Sequence, residues 1–70
     1  MAVRIRPGGM VPEDENHAYF ELNADTASDL TGLDTKDGYS IIPGSLCHVI
    51  ATGHIFALDG SGDWIDQMEA

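Results

Sequence analysis

The segment "GSLCHVIATGHIFALDGSGDWIDQ", residues 44 to 67, decides the fold, because apolar runs and turn residues alternate in it more clearly than elsewhere in the chain. Two apolar runs flank Thr52-Gly53, and a second turn, "DGSG" at residues 59 to 62, precedes the single tryptophan. Short apolar runs separated by such turns are typical of antiparallel strands. The segment predicts a three-stranded antiparallel meander over about residues 45 to 67.

The turn at Thr52-Gly53 leaves two strand registers open. A two-residue turn pairs Ala51 with His54, whereas a three-residue loop with left-handed Gly53 shifts the register by one residue and swaps the faces of one strand. With the two-residue turn, one face holds Cys47, Val49, Ala51, His54, Phe56 and Leu58. The other face holds Leu46, His48, Ile50, Ile55 and Ala57. Since both faces are largely apolar, we expect a partner chain to help cover the hairpin.

Shorter elements precede the meander. "HAYFELN", residues 17 to 23, alternates apolar and polar side chains and predicts a short strand. "ADTASDL" offers Asp25 or Thr26 as an N-cap with Asp29 in the first turn, which predicts one helical turn. "YSII", residues 39 to 42, is a further candidate strand. The fold class that these elements predict is mainly β.

The N-terminal residues predict an extended arm. "MAVRIR" has the period of a strand, with Val3 and Ile5 on one side and Arg4 and Arg6 on the other. "PGG" at residues 7 to 9 then interrupts any regular element, and an acidic connector follows. We therefore divide the chain into an N-terminal arm and linker, residues 1–16, and a single small β domain, residues 17–70.

Size and charge limit the function. The chain has 70 residues, and its twelve acidic and three basic residues give a net charge of −9. A chain this short buries little core, and the lone Cys47 can form no internal disulfide, so we expect support from an oligomer or a larger partner. The acidic surface argues against direct nucleic-acid or membrane binding. No signal peptide or membrane span is predicted, which fits synthesis in the cytoplasm.

No catalytic or metal-binding constellation is predicted. In the two-residue register His48 and His54 face opposite sides of the sheet, and Cys47 and His48 are strand neighbours whose side chains diverge. The acidic turn at residues 59 to 62 lacks the glycine and the glutamate that a calcium loop needs at its sixth and twelfth positions. We expect a non-enzymatic protein without cofactor or metal. Trp64 most simply caps the core, and stacking on a sugar is the alternative.

The chain resembles small virion proteins encoded in the structural gene clusters of tailed bacteriophages. The resemblance covers residues 17 to 67 and consists of a "FELNADTASDL" phrase, Gly-Ser, a strand, Thr-Gly, a second strand and a turn before tryptophan. A proline expected after the Asp-Leu pair is replaced by Thr31. The matching positions are Phe20, Leu22, Asp25, Thr26, Asp29, Leu30, Gly44, Ser45, Thr52, Gly53, Asp59, Gly60 and Trp64.

The resemblance implies a bacteriophage structural protein, located in the virion, that attaches to the capsid as a decoration protein or to the head–tail region. Its partners would be the major capsid protein or another virion protein, and copies of itself. We expect the arm and the apolar hairpin to make these contacts. The partner-binding residues predicted are Val3, Arg4, Ile5, Arg6, Phe56 and Trp64. The alternative is an acidic inhibitor that mimics nucleic acid and binds a host DNA- or RNA-binding protein.

Overall fold

A computed structural model describes residues 3–68 as one curled, mixed sheet of seven strands. A single turn of 3-10 helix, Ala27–Leu30, follows the second strand. The strands are β1 Val3–Pro12, β2 His17–Ala24, β3 Thr35–Lys36, β4 Tyr39–Ile41, β5 Leu46–Val49, β6 His54–Leu58 and β7 Trp64–Asp66.

The sheet is organised around β2, which pairs with three other strands. β1 runs antiparallel to β2 along one edge. The two strands pair near each end of β2, and the pairing is interrupted in between. On the other edge β4 pairs in parallel with the first residues of β2, and β5 pairs in parallel with Glu21–Ala24. From β5 the sheet continues through antiparallel β6 and β7. β2 therefore joins both halves of the molecule.

Ser45 fills the gap where β2 changes its partner from β4 to β5. Its hydroxyl accepts a hydrogen bond from the backbone amide of Phe20 at 3.0 Å, and its carbonyl accepts one from the amide of Leu58. Ser45 is fully buried. A buried backbone N–H without a partner is costly, so this side chain replaces the ladder hydrogen bond that neither β4 nor β5 supplies.

The chain encloses its own core on the inner face of the sheet. The burial of β2 alternates as its sequence predicts, with Ala18, Phe20, Leu22 and Ala24 inaccessible to solvent. Full burial of a side chain such as Phe20 or Leu22 contributes about 1.5–3 kcal/mol. The other buried apolar residues are Val3, Leu30, Ile41, Cys47, Val49 and Leu58.

β1 belongs to this sheet instead of extending from it as an arm. Val3, Arg4 and Ile5 pair with Ala24, Asn23 and Leu22, and the pairing resumes at Met10 after a bulge. Gly9 allows the bulge, because a Cβ there would lie 2.5 Å from the carbonyl oxygen of Glu21. The "PGG" segment therefore bends a continuing strand. The predicted alternation of Val3 and Ile5 against Arg4 and Arg6 is present, but its apolar side packs in this chain's core.

The β5–β6 hairpin has neither of the two predicted registers. Val49 pairs with His54 and Cys47 with Phe56, so the connecting loop has four residues. Gly53 adopts the left-handed conformation at φ 74° and donates its amide hydrogen to the Val49 carbonyl. This register differs from the two-residue turn by two positions. Because side chains alternate with a period of two, the strand residues keep their predicted faces.

The mainly β prediction is confirmed, and the predicted architecture is wrong in part. The sheet is not an isolated three-stranded antiparallel meander, because β5 continues into parallel pairing with β2. The predicted short strands correspond to β2 and β4. The predicted helical turn is the 3-10 helix, with Thr26 as N-cap and its amide donating to the Asp29 carboxylate at 3.0 Å.

Candidate partner-binding surfaces

An apolar patch lies on the outer face of β5, β6 and β7, opposite the core. Leu46 pairs with Ala57, and Ala57 pairs with Ile65, so these three side chains form one row across the sheet. Ile55 lies two residues from Ala57 on the same face. Ile55 is 38% exposed and Ile65 is 46% exposed. We call Leu46, Ile55, Ala57 and Ile65 the apolar patch.

The three strands that carry the apolar patch place no carboxylate on their outer face. Their only acidic residue, Asp66, pairs with Phe56 and therefore lies on the inner face. The remaining outer residue of β5 is His48, opposite Ile55. Glu21 of β2, the partner of Leu46, borders the patch on the same face. In a chain with net charge −9, a partly exposed apolar patch without a carboxylate of its own is suited to protein contact.

A shallow groove of about 460 Å³ lies between the 3-10 helix and the β6–β7 ribbon. Its lining includes Leu30, Thr31, Phe56, Gly62, Asp63 and Trp64. Trp64 pairs with Leu58, which is buried in the core, so Trp64 lies on the inner face. Phe56 lies two residues from Leu58, opposite Asp66, and therefore shares this face. Both are half-buried and pack against the edge of the core. Their rings give the groove an aromatic wall beside the Asp63 carboxylate.

The orientation of the Trp64 indole is fixed from within the chain. Its Nε1–H donates a hydrogen bond to the Leu33 carbonyl oxygen at 3.0 Å. Leu33 follows the 3-10 helix, so this bond ties β7 to the segment on the other side of the groove. The polar edge of the indole is thereby satisfied, and a ligand in the groove would meet an immobilised ring.

The structure separates the predicted partner-binding residues into two groups. Val3 is buried and Ile5 packs against the core, whereas Arg4 and Arg6 are exposed. The Arg4 guanidinium lies 3.5 Å from the Asp25 carboxylate, and both side chains are more than half exposed, so this ion pair contributes little. Phe56 and Trp64 lie in the groove, away from these four residues in the sheet order.

His54 and Asp66 form the shortest side-chain contact across the β6–β7 ribbon. His54 Nδ1 lies 2.6 Å from Asp66 Oδ2, and the Asp66 side chain is only 15% exposed. The second carboxylate oxygen accepts a hydrogen bond from the Met68 amide at 2.9 Å. The pair resembles two members of a hydrolytic triad, but Asp66 here serves to hold the end of β7.

Cys47, His48 and His54 do not come together in a site. His48 lies on the outer face and His54 on the inner face. Cys47 is fully buried, and burial raises the pKa of its thiol to about 11, which suits a packing residue and not a nucleophile. Within residues 3–68, no group of three His, Cys, Asp or Glu side chains could hold a metal ion.

Comparisons with known proteins give no relative of this chain. No family model, no curated protein and no solved structure matches it. In the described part of the chain, no helix has the length and apolar character needed to cross a membrane.

Sequence reasoning missed the importance of three positions in these surfaces. Ile65 belongs to a continuous patch only through its row with Leu46 and Ala57, and this row depends on the four-residue loop. Leu30 and Thr31 reach the groove only because the 3-10 helix lies over β6 and β7, and no local pattern indicates this. The placement of Phe56 and Trp64 on the same, inner face could have been found from the period of the strands.

Proposed function

We propose that this protein is a non-enzymatic structural module that attaches to a larger protein assembly through the apolar patch. The observation that carries the proposal is the exposure of Ile55 and Ile65 in a group of apolar residues that contains no carboxylate, on a strongly acidic chain. Apolar centres depleted of charged residues are typical of the buried parts of protein interfaces.

The assembly that the sequence resemblance implies is the virion of a tailed bacteriophage. In that setting the partner would be the major capsid protein or another virion protein, and the acidic turns would remain in solvent. The strong negative charge would keep many closely spaced copies soluble. The groove and the exposed Arg4 and Arg6 would supply contacts beyond the patch.

The enclosed core changes the reason for expecting a partner. The apolar residues on both faces of the hairpin predict cover from a partner on both sides, but the inner face is covered by β1, β2 and the 3-10 helix of the same chain. What a partner would cover is the outer face alone. Attachment is therefore proposed as docking of a folded domain, without an arm that must be ordered by its neighbour.

The test is incorporation into particles made by the phage or prophage that encodes the chain. A double substitution, Ile55→Lys with Ile65→Lys, places two charges in the patch and should abolish recovery with gradient-purified particles. The matched control is Ile50→Lys with Met68→Lys, since these residues are 51% and 59% exposed and lie outside the strands. The control should be incorporated normally.

Circular dichroism and thermal unfolding of both variants would show that each is folded. Incorporation of the patch variant at the occupancy of the natural protein would refute the proposal. Recovery of the natural protein with a host nuclease or repressor, and not with particles, would favour the nucleic-acid mimic instead.

A further inference from the structure

We propose that the groove beside Trp64 is a binding site for a cationic side chain, an arginine or lysine presented by a partner protein. The site is built from two aromatic rings, Phe56 and Trp64, and one carboxylate, Asp63. Aromatic faces attract guanidinium and ammonium groups, and an adjacent carboxylate adds a charge-assisted hydrogen bond.

The Asp63 carboxylate is available for such a ligand. The backbone of Asp63 is engaged, since its amide donates to Asp59 Oδ1 at 2.9 Å and its carbonyl accepts from the Asp59 amide. Among residues 3–68, no hydrogen bond or ion pair engages its side chain. The turn therefore fixes the position of Asp63 while it leaves the carboxylate oxygens facing solvent.

Charge selects a cation over the other ligands that an aromatic groove accepts. None of the residues that line the groove is basic, and the chain carries a net charge of −9. An anionic ligand would be repelled, and a neutral sugar would use the rings without any need for the carboxylate. A cation uses both. Arginine is the stronger candidate, because its planar guanidinium stacks on aromatic rings while it hydrogen-bonds to a carboxylate.

The indole is held ready for this stacking by its bond to the Leu33 carbonyl. A ring that is already fixed loses little conformational entropy when the ligand binds. The volume of about 460 Å³ falls within the range of small-ligand clefts and is open enough for a side chain carried on another protein. The groove shares Ile65 with the apolar patch, but Phe56, Asp63 and Trp64 lie outside the patch, so failure of a test at Asp63 would leave the attachment proposal standing.

The experiment is a titration of the full chain with N-acetyl-arginine amide, followed by the Nε1–H resonance of the only tryptophan. We expect a saturable shift, and no saturable shift with the citrulline analogue, which has the same shape without the charge. Asp63→Asn should weaken binding about two- to fivefold, the range of an exposed ion pair. Asp37→Asn makes the same change of charge in the β3–β4 turn and should leave the affinity unchanged.

Equal binding by citrulline would overturn the proposal. So would an Asp63→Asn variant that binds as the natural protein does, or equal weakening by Asp37→Asn, since this would show attraction to the overall charge. A neutral sugar such as methyl glucoside that shifts the resonance when arginine does not would assign the groove to a saccharide.

Discussion

The Ser45 hydroxyl accepts a hydrogen bond from the Phe20 amide at the one place where β2 has no backbone partner on its β4–β5 side. Both residues are fully buried. The side chain thus completes a backbone ladder, because the two parallel neighbours of β2 leave a gap between Ile41 and Leu46.

Replacement of Ser45 by alanine should lower the free energy of unfolding by about 1–3 kcal/mol. The cause is the Phe20 N–H, which would be buried without an acceptor. Urea unfolding measures the loss, and Ser61→Ala in the exposed β6–β7 turn serves as the control with an expected change near zero. Loss of stability no greater than that of Ser61→Ala would mean that the hydrogen bond contributes nothing.

Gly9→Ala should destabilise the protein by about 1–3 kcal/mol. The new Cβ would lie 2.5 Å from the Glu21 carbonyl oxygen and 2.9 Å from that of Arg6, and backbone atoms cannot easily give way. Gly60→Ala is the matched control, because a Cβ there meets nothing within 4 Å. Thermal unfolding of the two variants compares them directly, and equal midpoints would show that β1 does not pack as described.

The pairing of His54 with Asp66 should be measurable by a double-mutant cycle. Substitutions His54→Gln and Asp66→Asn, alone and together, should give a coupling free energy of about 1 kcal/mol at neutral pH, since the carboxylate is partly buried. His17 and Asp14 form a similar contact at 3.0 Å with both side chains about half exposed. Their coupling should be smaller. A larger coupling for the exposed pair would contradict the role of burial.

The stability of the fold should fall between about pH 9 and pH 11 through Cys47. Burial raises the pKa of this thiol to about 11 in the folded chain, from a usual value of 9.0. As the pH rises, the unfolded chain loses the proton first, so unfolding becomes more favourable across this window and is unaffected below it. About 1.4 kcal/mol for each pH unit sets an upper limit of about 3 kcal/mol.

Cys47→Ala isolates the contribution of the thiol to this pH dependence. Tyr19, whose pKa is raised by burial and by its hydrogen bond to Glu21, titrates in both proteins. The variant should therefore show a shallower decline of stability above pH 9 than the natural protein. Identical declines in the two proteins would assign the effect to Tyr19 and not to Cys47.

The alternation of side chains was the most reliable signal in the sequence. It placed Ala18, Phe20 and Leu22 on one side of β2 and separated Cys47 and Val49 from Leu46 and His48. The faces of the hairpin were right although its register was wrong, because a shift of two residues preserves the direction of every side chain. Turn chemistry alone could not distinguish a two-residue turn from a four-residue loop that also ends at Gly53.

The non-local pairings could not be read from the sequence. Nothing in "MAVRIRPGGMVP" indicates that Gly9 lies against the Glu21 carbonyl, since the close approach depends on β1 having already paired with β2. The parallel pairing of β2 with β5 spans the 3-10 helix and two short strands, so no local pattern reports it. The groove depends on the same long-range pairings. Of the residues that line it, the sequence predicted only Phe56 and Trp64 as binding residues.

Because β2 is shared by β1, β4 and β5, these four strands should unfold together, whereas β3 and β7 at the ends of the sheet order are free to open first. Amide hydrogens along β2 should exchange with solvent only when these four strands unfold, so one exchange rate should describe them. Removal of β1 should therefore destabilise the whole domain, because β1 is not a separate arm.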